Sequence, residues 1–257
     1  MAMNPALPAW RDCRIWIIGA STGIGAATAR MLLAAGAHVA LSARKADALN
    51  EVAGGNDRAL VLPLDYTDST SVRAAWDTLR QRWGRIELVL IVAGTHQEMR
   101  AWELDEAAAM ALLKTNLHGV IGTCAVVVPG LLEQGRGAIG IVASVAGYRG
   151  LPKALIYGAS KAAVINFTES LYFDLEPKGI GVYLISPGFV KTPLTDGNEF
   201  KMPALISAEE AASEIVNGLR RGRFEIHFPK RFTRMLKLLQ LLPYSWYFAL
   251  VHRSTKL

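Results

Sequence analysis

The sequence predicts a doubly wound α/β fold, with one mostly parallel seven-stranded sheet and helices on both faces. Three observations lead there. Seven apolar runs of strand length alternate with six longer segments of helical spacing. The run RIELVLIVAG (85–94) is almost continuously apolar, as a strand covered on both faces must be. A glycine-rich turn, Gly19 to Gly25, separates the first strand from the first helix, where such sheets bind ligands.

The elements follow in order. RIWIIG (14–19) is the first strand, and GAATARMLLAAG (25–36) is a helix stopped by Gly36. HVALSA (38–43) is the second strand, 45–53 a short helix, and ALVLPLD (59–65) the third strand. Residues 68–83 have helical spacing, with Asp68, Ser69 and Thr70 as capping candidates and Gly84 as the stop. After the strand 85–94, residues 104–128 read as one helix ended by Pro129, and GAIGIVAS (137–144) as the fifth strand. Residues 155–176 form a helix up to Pro177, followed by the strand IGVYLIS (180–186). Ser207 and Glu210 form a capping box at the head of the helix 207–220, and RFEIHF (223–228) is the last strand. The expected organisation is one domain over 1–257, with its core at about 12–228 and a basic amphipathic helical extension at 229–257.

Composition narrows the classes of function. The chain has 257 residues, 51% hydrophobic and 19% charged, enough for a sizeable core. Its net charge of +6 belongs to the tail. Beyond Glu225 no acidic residue occurs, while Lys230, Arg231, Arg234, Lys237, Arg253 and Lys256 are basic. Removing those six from 28 basic residues leaves 22 against 22 acidic ones, so the body gives no case for nucleic-acid binding. Cys13 and Cys124 are far apart, and His38, His96, His118, His227 and His252 lack metal-ligand spacing, so no metal is expected. The opening MAMNPALPAWRDCR is too short and too polar for a secretory signal, and no stretch of about 18 uninterrupted apolar residues spans a membrane. The expected location is cytoplasmic.

Chemistry-bearing residues fall after the strands. Gly19, Gly23 and Gly25 are spaced GxxxGxG with a helix following at once, and Ser21, Thr22 and Ile24 complete the loop. Glycines admit a pyrophosphate to the backbone, and the helix N-terminus presents free amides and a positive dipole end. After the second strand no carboxylate stands ready for a ribose 2′-hydroxyl. Arg44 and Lys45 stand there instead, and a guanidinium pairs with a 2′-phosphate, which favours NADP(H) over NAD(H). Asp65 and Tyr66 follow the third strand, with Asp65 either accepting from an adenine amino group or capping its loop. Ala93 and Gly94 end the fourth strand and allow close backbone approach.

Ser144 closes the fifth strand, and Tyr157 and Lys161 share a helix face at i and i+4. Reducing a carbonyl needs a hydride at carbon and a proton at oxygen. A tyrosine holds the proton, a nearby ammonium lowers its high pKa, and a serine orients the substrate oxygen.

This ordered set resembles the classical short-chain dehydrogenases/reductases over about residues 12–228. The resemblance implies that Gly19, Gly23 and Gly25 are the cofactor glycines, Arg44 reads the NADP phosphate, and Asp65 meets the adenine ring. It implies a tetrad of Asn116, Ser144, Tyr157 and Lys161. Asn116 would hold a water linking Lys161 to solvent, and Lys161 would also bind the nicotinamide ribose. Pro187, Gly188, Val190 and Thr192 match the segment that contacts the carboxamide. Two departures stand out. The family's NNAG is Ile91-Val92-Ala93-Gly94 here, and no basic residue lies inside the glycine loop. Members commonly form dimers or tetramers through the helices corresponding to 104–128 and 155–176.

Residues 189–206 form the expected substrate flap, where Phe189, Leu194, Phe200, Met202 and Leu205 would face an apolar carbonyl or alcohol. The opposite rim, 95–103, offers His96, Met99 and Trp102. In the tail, Met235, Leu236, Leu238, Leu239 and Leu242 make an apolar stripe flanked by Arg231, Arg234 and Lys237, and Pro243 breaks it before Tyr244, Trp246, Tyr247 and Phe248. That pattern suits peripheral membrane contact through 230–257, and equally a subunit interface or a lid over the cleft. The leading expectation is an NADP(H)-dependent carbonyl or alcohol oxidoreductase. The alternatives are a 3-oxoacyl or fatty-acyl reductase at a membrane surface, and a dinucleotide-sensing regulatory protein.

Overall fold

The computed structural model describes residues 2–196 and 202–255, so Phe200 of the flap and Lys256 of the tail lie outside the described residues. Its strands are β1 (Arg14–Ile18), β2 (His38–Ser42), β3 (Ala59–Val61), β4 (Leu88–Ile91), β5 (Gly137–Val142), β6 (Ile180–Pro187) and β7 (Glu225–Phe228). All pair in parallel in the order β3-β2-β1-β4-β5-β6-β7, as the doubly wound expectation requires. The order reverses between β1 and β4, where Ile18 registers with Ile91. A crevice opens beyond the strand ends at such a switch point.

The helices are α1 (Gly23–Ala34), α2 (Ala46–Ala53), α3 (Ser69–Trp83), α4 (Glu106–Leu113), α5 (Gly119–Gln134), α6 (Leu155–Leu175), α7 (Ala208–Arg220), α8 (Lys230–Gln240) and α9 (Tyr244–Thr255). Strand alternation divides them into two layers. Ile15 and Ile17 of β1 join the core under α1 and α7, while Trp16 and Ile18 join the core under α3, α5 and α6. The expected caps are realised. Asp68 accepts from the Thr70 amide at 2.9 Å, and the Ser207–Glu210 box closes with bonds of 3.1 and 2.8 Å.

Helix 104–128 differs from its expectation in two ways. It does not stop at Pro129: α5 runs through it to Gln134 and ends at Gly135, φ 66°. Proline removes one helical donor, but burial of the flanking face outweighs the loss. Val126, Val127 and Leu131 are buried, and Gly130 lies so close to α3 that a Cβ there would stand 2.7 Å from the Trp76 ring. The helix is also interrupted by a π-helical turn, Lys114–His118. The run Glu106–Gln134 is long and apolar enough to cross a bilayer, yet half of its most apolar window is buried in this core.

The core reaches beyond 12–228 at both ends. Near the N-terminus, Asn4 is buried and exchanges 2.8 Å bonds with the backbone of Val182 in β6. At the other end, Thr233 of α8 and Tyr247 of α9 are buried.

Candidate active site

The loop after β1 has its shape forced by its glycines. Gly19 and Gly23 have φ of +90° and +54°, a region costly for other residues. A Cβ on Gly19 would stand 2.5 Å from the Ala93 nitrogen, and one on Gly25 would stand 2.0 Å from the Gly19 oxygen. Thr22 is the N-cap of α1 but makes no side-chain cap bond, so the first-turn amides are left for a ligand. An uncapped helix N-terminus behind a glycine turn fits the pyrophosphate of a dinucleotide. Thr192 packs against this loop, its Cγ2 lying 2.9 Å from where a Gly23 Cβ would stand.

Beyond β2, Arg44 and Lys45 are exposed. Asp65 accepts from the Thr67 amide at 2.9 Å and its hydroxyl at 2.8 Å. These bonds hold its carboxyl below the usual range, with Arg44 and Lys114 adding to the effect. Asp65 therefore shapes its own turn. Tyr66 is buried, its ring against Gly119 and its hydroxyl donating to the Thr115 carbonyl, which leaves only its backbone for a ligand.

The expected tetrad converges beside Gly94. A Cβ on Gly94 would lie 3.4 Å from both Asn116 Oδ1 and Lys161 Nζ. The π turn carries Asn116 inward and buries it completely. Its Oδ1 accepts from the Thr95 amide at 2.8 Å, and its Nδ2 donates to the Thr95 carbonyl at 2.9 Å and to Ser160 Oγ at 3.1 Å. Ser160 donates in turn to the Tyr157 carbonyl at 2.7 Å. Lys161 is buried, donates to the Val142 carbonyl at 3.0 Å, and stands 5.9 Å from the Tyr157 ring centre. Ser144 Oγ accepts from the Ala146 amide at 3.1 Å, and its side chain is near enough to Tyr157 to draw the phenol pKa down.

Burial raises the Tyr157 pKa, with Ser144 opposing, and lowers that of Lys161 to about 8. Desolvation penalises the charged form of each.

The chain matches the short chain dehydrogenase family over residues 14–202. It is a short-chain dehydrogenase/reductase. It is 34% identical over 230 residues to an uncharacterized oxidoreductase of Myxococcus xanthus, covering 87% of this chain and 91% of that protein. It is 32% identical to a 3-oxoacyl-[acyl-carrier-protein] reductase of Thermotoga maritima, over 81% of this chain and 82% of the other. A solved 3-ketoacyl-(acyl-carrier-protein) reductase of Brucella melitensis, complexed with NADH, superposes with a TM-score of 0.78 at 23% identity, over 84% of this chain and 96% of that one. That last likeness speaks for the fold.

Around this dehydrogenase's tetrad the rim and flap sort out. His96 lies against Tyr157, ring centres 4.6 Å apart, and burial lowers its pKa. Met99 is buried, and its amide donates to the Lys153 carbonyl at 3.0 Å. Beside it the Glu98–Lys153 ion pair, 2.8 Å, latches the rim to the loop before α6. Trp102, 80% exposed under Arg100, faces solvent. The stems of the flap pair through Val190 and Ile206. Phe189 stacks 5.8 Å from Phe232 of α8, and Leu194 is exposed. Gly188 donates to the Phe228 carbonyl at 2.7 Å and lies beneath Phe232. In the segment that stands for the family's NNAG, the Val92 and Ala93 amides of this dehydrogenase both donate to the Ile18 carbonyl, at 2.8 and 3.0 Å.

Sequence reasoning passed over Arg149, in the loop that follows Ser144. Its Nη1 donates to the carbonyls of Leu239, Gln240 and Leu242 at 2.8, 3.2 and 2.8 Å, closing the end of α8. Its guanidinium lies 4.8 Å from the Tyr244 ring centre and 4.0 Å from that of Tyr247. Gln240 donates to the Tyr148 carbonyl and Tyr247 to the Gly150 carbonyl, both at 2.6 Å. The tail is thus built onto the active-site loop. The available signal was a lone arginine in a neutral stretch, matched by a tail rich in tyrosine.

Proposed function

We propose that this chain is an NADP(H)-dependent oxidoreductase acting on an apolar carbonyl or secondary alcohol, with Tyr157 as the acid and base. The observation that carries this reading is the convergence of Tyr157, Ser144, Lys161 and Asn116 beside Gly94, at the switch point of the sheet. Gly19, Ser21, Thr22, Gly23, Ile24 and Gly25 would hold the pyrophosphate, Arg44 and Lys45 the 2′-phosphate, and Asp65 the adenine. Ala93, Gly94, Pro187, Gly188, Val190 and Thr192 would line the nicotinamide half. When bound, the nicotinamide supplies or takes the hydride.

The chain's own residues manage the proton. A phenol with a raised pKa keeps its proton through neutral pH and gives it to the carbonyl oxygen as negative charge grows there. Ser144, beside the phenol, would orient that oxygen. Lys161, with a pKa of about 8, is still an ammonium at neutral pH and favours the anionic phenolate that forms beside it. Asn116 fixes the Thr95 backbone and, through Ser160, the turn of α6 that carries Tyr157. His96 and the flap residues Phe189 and Leu194 would bound the substrate.

Likeness to a 3-oxoacyl reductase favours an acyl thioester as the second substrate class. A homodimer or homotetramer through α5 and α6 fits the exposed Ile121, Leu132 and Phe173. Cytoplasmic placement fits two free, buried cysteines. A panel of ketones, aldehydes and acyl thioesters, read by NADPH oxidation with Tyr157→Phe as the blank, tests the reading. No turnover above the blank on any class would contradict it.

A further inference from the structure

The apolar stripe of the tail is split in two. Its inner half, Leu236 and Leu239, lines a small cavity with Val145, Tyr148, Leu151 and Tyr247. Its outer half is left in solvent. Arg231, Arg234, Met235 and Leu238 of α8, with Leu241 just past its end, share one side of the helix and are all exposed, Leu238 at 67% and Leu241 at 80%. On α9, Trp246 is 68% exposed and Phe248 is also exposed. Burial normally claims such side chains, and here a rigid inner face holds them outward. Arg149, Tyr247 and the contact of Thr233 with His227 of β7 anchor that inner face.

The charge of the surface selects its partner. From Lys230 onward every ionised side chain is basic. An isologous pairing of this face with itself would set those cations against each other. A surface both apolar below and negative above satisfies leucines, an interfacial tryptophan and flanking arginines together. We propose that the outward face of α8 and α9 docks on an anionic phospholipid bilayer. Through Arg149, the docking face is joined to the loop that follows Ser144.

The test uses the full chain and vesicle co-sedimentation, which reads binding independently of redox activity. Vesicles of roughly two parts phosphatidylcholine to one part phosphatidylglycerol should carry the protein down, and pure phosphatidylcholine vesicles should carry far less. Two variants probe the face: Leu238→Ser/Leu241→Ser/Trp246→Ser, and Arg231→Gln/Arg234→Gln. Each should weaken binding by about tenfold or more, and added salt should weaken the native protein similarly. Circular dichroism melts establish that both variants fold, and the arginine pair stands as the second probe if the triple variant does not. Equal sedimentation on both vesicle types, or none on either, would overturn the proposal. So would a triple variant that binds unchanged, or one that instead falls apart from an oligomer in sedimentation velocity, which assigns the face to a second copy.

Discussion

The His96 and Tyr157 rings meet edge to face, 4.6 Å between centres and 86° between planes. The contact walls the phenol on the side of the rim and leaves His96 half-buried. Burial therefore holds the imidazole below its ordinary value of 6.5, with Glu98 opposing. His96→Ala should lower kcat/KM by roughly three- to tenfold, the worth of such a ring pair, chiefly through KM. The pH profile of the native enzyme should show no inflection at 6.5 that disappears in this variant. A loss confined to kcat would give His96 a different role.

Lys161 predicts an unusual pH dependence of stability. Its folded value of about 8 lies below the ordinary lysine value of 10.5. Between those limits the unfolded chain binds more protons, so stability rises with pH across that window. Below about 8 the buried ammonium costs on the order of 3 kcal/mol. Lys161→Met should then be at least as stable as the native chain at pH 7 without cofactor. Its advantage should shrink toward pH 10, and it should lack activity. Denaturant midpoints at both pH values check this.

The proposed preference for NADP(H) rests on Arg44. Arg44→Asp should raise the KM for NADPH by about tenfold to a hundredfold, the worth of a lost charge-assisted hydrogen bond, and change that for NADH little. An unchanged ratio of kcat/KM for the two cofactors removes Arg44 from phosphate recognition.

Arg149→Ala should loosen the tail. Three carbonyls of α8 and its end lose their donor, and two tyrosine rings lose their cation. A cost of about 2–4 kcal/mol is expected, or roughly 5–10 °C in Tm. Limited proteolysis within 230–255 should accelerate. An unchanged melting point would show that the tail is held by its apolar contacts alone.

The alternation of apolar runs made the sheet readable in the sequence, because the inner strands β2, β1, β4, β5 and β6 are buried on both faces. The glycine loop was readable because its φ values and contacts admit little else at Gly19 and Gly25. Tyr157 and Lys161 were readable through their helical spacing. Asn116 was not: a π turn leaves no periodic mark, and only the resemblance pointed to it. Pro129 misled because packing of Gly130 on Trp76 keeps the helix going, a tertiary effect invisible locally. Arg149 was hidden because its partners are backbone carbonyls about ninety residues away, which carry no side-chain signature. The raised pKa of Tyr157 comes from burial, which sequence spacing does not measure.

The most direct test compares Tyr157→Phe with the native enzyme, using the best substrate of the carbonyl panel. The account predicts that kcat for NADPH oxidation falls by about a hundred- to ten-thousandfold, the usual contribution of a positioned acid, while NADPH binding read by fluorescence titration stays within about twofold. Turnover retained by the phenylalanine enzyme, with cofactor bound as before, would contradict it.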